Sequence, residues 1–82
     1  MIFLGGGGSD PGVIETAIAA LKRGGRLVAN AVTLEMEAAL LGEHAKRGGS
    51  LTRIEISRAQ PVGGMSGWRP AMPVTQWRWT KG

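Results

Sequence analysis

Met1-Ile2-Phe3-Leu4 runs without a spacer into Gly5-Gly6-Gly7-Gly8, and Ser9-Asp10-Pro11-Gly12 follows at once. An apolar run, a glycine turn and a helix start in direct succession is how a buried parallel strand hands over to a helix in an α/β sheet. The crevice outside such strand ends is where ligands bind. The chain enters this strand at its first residues, so the expectation is the back half of a larger domain.

The elements that follow keep the alternation. Asp10 is a good N-cap, and Pro11 suits the first helical position, where its missing N–H costs nothing. Val13, Ile14, Ala17, Ile18 and Leu21 recur at helical spacing. Lys22 and Arg23 place positive charge in the last turn, and Gly24-Gly25 ends the helix. Residues 26–32 (RLVANAV) read as a second buried strand interrupted by Asn30. Thr33 can cap the next helix, with Glu35 and Glu37 in its first turn and Leu34, Ala38, Leu41 and Ala45 as its apolar stripe. The exit Lys46-Arg47-Gly48-Gly49 nearly copies Lys22-Arg23-Gly24-Gly25, so one helix-to-strand loop is expected twice.

Residues 51–57 alternate, with Thr52, Ile54 and Ile56 on one side and Arg53, Glu55 and Ser57 on the other, as in a half-exposed strand. The glycine- and proline-rich stretch from Pro61 to Pro70 reads as a long loop, which is a functional hint in a compact domain. Residues 74–80 (VTQWRWT) form a last strand with Thr75, Trp77 and Trp79 on one face. No helix separates the last two strands, so they are expected to pair antiparallel. The fold class is therefore α/β: a parallel sheet with covering helices, made mixed by a terminal antiparallel pair.

Size and composition narrow the functions. A chain of 82 residues is one small domain at most, and such chains bury only about 60% of the surface their unfolded form exposes. Oligomerisation, or the rest of a larger domain, is the expected support, because there are no cysteines and His44 is the single imidazole. No metal site is expected. His44 itself reads as a solvated or structural histidine. No apolar stretch approaches the roughly 20 residues of a membrane span, and no secretory leader is visible, so the expectation is a cytoplasmic protein without a membrane partner. The net charge of +4 is scattered in runs of at most two. Nucleic-acid binders cluster such charge on one face or helix, so no nucleic-acid partner is expected, and a small polyanion suits the charge at least as well.

A βαβα sheet closed by an antiparallel strand resembles the class I S-adenosylmethionine-dependent methyltransferases. Residues 2–7 (IFLGGG), 27–35 (LVANAVTLE), 61–64 (PVGG) and 67–77 (GWRPAMPVTQW) are similar to the end of the decarboxylating precorrin-6Y methyltransferase family. The resemblance spans nearly the whole chain. It implies the C-terminal half of a Rossmann-like methyltransferase domain, S-adenosyl-L-methionine as methyl donor, and a tetrapyrrole acceptor. In that family this half serves methylation at carbon 15 and loss of carbon dioxide from the ring C acetate. The family's cofactor parts, a glycine-rich loop after the first strand and an acidic residue ending the second, are not among these residues. The N-terminal cofactor-binding half is thus expected to be absent from the chain, and the chain alone to be inactive.

Methyl transfer from a sulfonium needs chiefly alignment of donor and acceptor, so no acid–base triad is expected, and none is visible. The resemblance implies substrate contacts at Gly5, Gly6 and Gly7, as a wall without side chains; a permissive turn is the plainer account. Asn30 could hold the substrate through its amide or bond only to neighbouring backbone. Thr33 and Glu35 could face the substrate or serve only the helix start. Trp68 and Arg69 fit a lid that stacks on the macrocycle and clamps a carboxylate, and equally an oligomer contact. Trp77 and Trp79 read as packing or interface, and Met65 and Met72 as adaptable packing. A homo-oligomer joined through an exposed tryptophan strand is the non-enzymatic alternative.

Overall fold

The computed structural model describes residues 1–5 and 11–82. Gly6, Gly7, Gly8, Ser9 and the expected cap Asp10 lie outside the described residues. The elements run β1 (Ile2–Leu4), α1 (Pro11–Ala20), β2 (Arg26–Ala31), α2 (Leu34–Arg47), β3 (Ser50–Ile54), β4 (Ser57–Val62), β5 (Met65–Pro70) and β6 (Val74–Thr80). A four-stranded sheet has the order β1-β2-β6-β3, and β4 with β5 forms a separate two-stranded sheet. β1 and β2 pair parallel, while β6 pairs antiparallel with both β2 and β3. The expected antiparallel pair is therefore present, with β6 inserted between β2 and β3.

Side chains alternate across a strand, and the register sorts the sheet into two unequal faces. Leu27, Ala29 and Ala31 of β2 share a face with Trp77 of β6 and are buried with Ile14, Ala17, Ile18 and Leu21 from α1 and Met36 and Leu40 from α2. Both helices thus pack on that one face. The opposite face carries Phe3, Val28, Asn30 and Gln76, and no described helix covers it. Phe3 is 62% exposed. Parallel strands are ordinarily covered on both faces, so an open face beside a parallel pair is the unusual feature of this molecule.

Local chemistry explains the element ends. Thr33 caps α2 as expected, its side chain accepting from the Met36 N–H at 3.2 Å, with Glu35 and Glu37 in the first turn. α1 stops at Ala20, so Lys22 and Arg23 lie beyond it. The charge at its C-terminal carbonyls comes instead from Lys81, whose Nζ donates to the Ile18 and Leu21 carbonyls at 2.9 Å each. The two glycine exits match only in part. Gly24 and Gly48 both hold positive φ, but in the second exit Gly49 does so as well, and Gly25 does not.

Three expectations are corrected. The inward side of α2 is Met36, Leu40 and Glu43, while Leu34, Ala38, Leu41 and Ala45 are exposed. The helix carries apolar residues on two sides, and Glu43 is tolerated inside because Arg47 donates to it at 2.7 Å. In β3 Thr52 and Ile54 share one side and Arg53 the other, as expected, but the strand ends at Ile54, so Glu55 and Ile56 lie beyond it and Ser57 opens β4, and the residue packed on the core is Leu51, on the Arg53 side. Finally, the stretch from Pro61 to Pro70 is no loop. It supplies most of a β-hairpin whose two-residue turn, Gly63-Gly64, has Gly63 at φ 61°, as a type II′ turn requires. The hairpin is almost wholly exposed, and a free two-stranded ribbon is marginal in water.

Trp77 is fully buried, donates its indole N–H to the Gly48 carbonyl at 2.8 Å, and stacks on Trp79 with ring centroids 5.8 Å apart. The Arg47 guanidinium lies 5.6 Å above Trp79. The tryptophan strand is thus packing, and Trp77 is not on an exposed interface.

Candidate functional site at the C-terminal edge of the sheet

The register brings together the ends of β1, β2 and β3 and the start of β6. Ala31 pairs with Thr75, and Ile54 with Val74. Gly5 follows β1 on this edge, and a Cβ built there would meet open space. Asn30 is one residue from the end of β2. Thr33 and Glu35 open α2 immediately above, and the β4–β5 hairpin rises from the same edge between Ile54 and Val74.

Asn30 does not bond to backbone. Its Oδ1 accepts from the Gln76 Nε2 at 2.9 Å, and the Gln76 Oε1 accepts from the Arg78 Nε at 2.8 Å. This Arg78–Gln76–Asn30 relay fixes which way the amide points. The Asn30 NH₂ group is left without a partner among the described residues, on the open face. A second polar group stands on the covered face: Glu37 accepts from the Arg53 guanidinium at 2.8 Å and from the Thr75 hydroxyl at 3.0 Å. It ties α2, β3 and β6 together at the edge. Thr33 is occupied as a cap, whereas Glu35 is exposed with no described partner.

Trp68 and Arg69 are neighbours on β5, so they point to opposite sides of the hairpin. Trp68 pairs with Ala59 and is 76% exposed; Arg69 pairs with Arg58. One flat ring lying on one side of the hairpin therefore cannot both stack on Trp68 and meet Arg69. Gly6 and Gly7 lie outside the described residues. Gln76, Glu37 and Arg53 are edge residues that the sequence reading passed over. A hollow of about 530 Å³, lined by Arg26, Arg78 and Met1 among others, lies at the opposite edge, away from the strand ends where α/β sheets bind ligands. No described group of three or more His, Asp or Glu could hold a metal, and no described helix is long and apolar enough to cross a membrane.

A mixed sheet of this order, with its helices on one face and its polar edge at the parallel strand ends, is the C-terminal half of a Rossmann-like class I methyltransferase domain. The chain belongs to the precorrin methyltransferase domain family, whose model matches residues 1–81. It is 73% identical over 81 residues to a precorrin-6Y C(5,15)-methyltransferase [decarboxylating] from Sinorhizobium sp. It is 52% identical over 81 residues to the protein of the same name from Mycobacterium tuberculosis. The match takes in 99% of this chain in both cases, and 20% and 21% of those relatives, so the chain spans about one fifth of their length. Among solved structures, the C-terminal domain of precorrin-6Y C5,15-methyltransferase from Rhodobacter capsulatus superposes with a TM-score of 0.85 at 44% identity, over 96% of this chain and 42% of that one. A domain from Corynebacterium diphtheriae targeted as a precorrin-6Y C5,15-methyltransferase gives 0.90 at 43% identity, over 99% and 48%.

Proposed function

We propose that this chain forms the acceptor side of a methyltransferase that uses S-adenosyl-L-methionine to methylate a precorrin at carbon 15, with loss of carbon dioxide from the ring C acetate. The observation that carries the reading is the edge itself. A glycine-bordered strand end, an Asn30 amide oriented by Gln76 with its NH₂ without a partner among the described residues, and a hairpin bearing Arg69 stand along one rim, in a chain of this family.

The described residues do not form a cradle for the methyl donor. Glu37, in the first turn of α2, is engaged by Arg53 and Thr75, and Glu55, the acid that directly follows β3 at this edge, is exposed. No catalytic step is therefore routed through the donor. Its binding is proposed for segments that the longer relatives carry beyond the matched one. A sheet face open and a β1 edge unpaired among the described residues, and an apolar hollow of about 510 Å³ lined by Ile2, Leu4, Val13 and Ala17, support the same division, because an uncovered parallel pair calls for further structure. Within this reading Asn30 holds the acceptor, with Gly5, Gly6, Gly7, Thr33 and Glu35 as the proposed wall around it.

Self-association through the hairpin is proposed alongside. Val62 and Met65 are exposed together on one face of it and Trp68 on the other, and exposed apolar surface of this kind marks interfaces.

Calorimetric titration with S-adenosylhomocysteine tests the reading. The 82-residue chain is expected to give no heat. The Sinorhizobium relative with residues 1–81 of this chain in place of its own segment is expected to bind and to transfer methyl. A swapped protein that binds S-adenosylhomocysteine but methylates no precorrin overturns the acceptor-side assignment.

A further inference from the structure

Arg58 of β4 and Arg69 of β5 are register partners, directly opposite one another on the same face of the hairpin. Like charges in that position destabilise a strand pair. Neither guanidinium has an ion pair or a hydrogen bond among the described residues, so none of these offsets the repulsion. Gln60 is two residues on from Arg58 and shares its face. Together with Pro70 and Ala71 the three side chains line a shallow hollow of about 210 Å³. The hollow sits at the foot of the ribbon. Ser57–Pro70 is the first rung, Arg58–Arg69 the second, and the Ala71 N–H closes the base on the Ile56 carbonyl at 2.8 Å. The foot stands on the sheet edge that carries Gly5 and Asn30.

We infer that Arg58 and Arg69 act as one carboxylate clamp at the foot of the hairpin, beside the sheet edge, with Gln60 as an added donor. Guanidinium forks match carboxylates in bidentate fashion, and an anion between two opposed arginines turns their repulsion into binding. The ligand class is a carboxylate side chain of the tetrapyrrole acceptor, and in this respect the inference rests on the proposed function. Trp68 lies on the other side of the ribbon and takes no part.

The test is absorbance titration of the 82-residue chain with uroporphyrin, a flat tetrapyrrole bearing carboxylates around its rim, with a tetracationic porphyrin as the control of equal shape. Arg58→Gln and Arg69→Gln are each expected to weaken uroporphyrin binding by about tenfold or more, the loss that goes with a charged hydrogen-bonded pair. The double variant should fall little further, because the two act as a unit. Arg23→Gln removes the same charge elsewhere and is expected to leave binding unchanged. Equal affinities for all variants, an equal loss with Arg23→Gln, or equal binding of the cationic porphyrin overturns the clamp. So does a changed sedimentation coefficient of the arginine variants with uroporphyrin affinity intact, which makes the pair an interface element.

A second arm separates the clamp from the reaction. In the swapped Sinorhizobium protein, the arginine variants are expected to raise KM for the tetrapyrrole about tenfold and leave kcat in place. Clamp-dependent porphyrin binding without any methyl transfer sinks the proposed function and keeps the clamp. Methyl transfer with KM and porphyrin affinity indifferent to both arginines does the reverse.

Discussion

Replacing Gly49 by alanine should destabilise the protein far more than the same change at Gly48, although the two are adjacent in a loop whose sequence nearly repeats Gly24-Gly25. Both residues hold positive φ, 79° at Gly48, whose ψ of −146° lies outside the left-handed helical well, and 89° at Gly49, and a side chain held in such sparsely populated conformations costs about 1–3 kcal/mol. At Gly48 the new Cβ meets open space, so the conformational cost is the whole cost. At Gly49 it collides with the Arg78 carbonyl oxygen of β6 and stands 3.0 Å from the Trp77 Nε1. That nitrogen is the one that donates to the Gly48 carbonyl. Backbone cannot swing aside as a flexible side chain does, so β6 or the indole must shift, and overpacking of this kind costs a further 1–3 kcal/mol or so. The expected totals are about 1–3 kcal/mol for Gly48→Ala and about 2–6 kcal/mol for Gly49→Ala. Equilibrium urea unfolding, followed by tryptophan fluorescence, reads the difference from the midpoints at constant m. If Gly49→Ala falls within about 0.5 kcal/mol of Gly48→Ala, the close approach of loop and β6, and the place given to Trp77, are wrong.

Other outcomes follow from named bonds. Trp77→Phe keeps most of the buried ring but leaves the Gly48 carbonyl without its donor; a loss of about 1–3 kcal/mol in urea unfolding is expected. Lys81→Met removes the amine shared by the Ile18 and Leu21 carbonyls and should speed hydrogen exchange at the end of α1 while leaving α2 protected. Gln76→Leu frees the Asn30 amide from its relay; uroporphyrin binding should weaken while the far-UV circular dichroism stays as it was, and a restored affinity with Gln76→Asn is not expected because the shorter side chain cannot span both partners.

The legible parts of this fold were those in which short-range chemistry and tertiary packing agree. β1, α1 and β2 follow from an apolar run, a 3.6-residue period and a double glycine, and Thr33 does at the start of α2 what its side chain suggests. Asn30 stood out because a polar residue inside an apolar strand needs a partner. That partner, Gln76, is 46 residues away, and only the insertion of β6 beside β2 brings it there, which no local pattern encodes. The hairpin was hidden for a different reason. Its strands carry Arg58, Gln60, Pro61, Ser66 and Pro70 in place of alternating apolar residues, because the ribbon covers no core, and so composition spoke for a loop. The wrong stripe on α2 reflects competition: Glu43 goes inward because Arg47 is there to satisfy it, while Leu34 and Leu41 stay out. Lys81 could not have been assigned to α1 by spacing at all.

The edge formed by Gly5, Asn30 and the hairpin is the proposed seat of the acceptor. The direct measurement is mass spectrometry of a precorrin incubated with S-adenosyl-L-methionine and the Sinorhizobium relative carrying residues 1–81 of this chain, with and without Asn30→Ala. The expected product has gained a methyl group at carbon 15 and lost carbon dioxide; it is formed by the unaltered segment and sharply reduced by Asn30→Ala. Full turnover with Asn30→Ala, or no product from the unaltered segment in a protein that still binds the methyl donor, contradicts that placement of the acceptor.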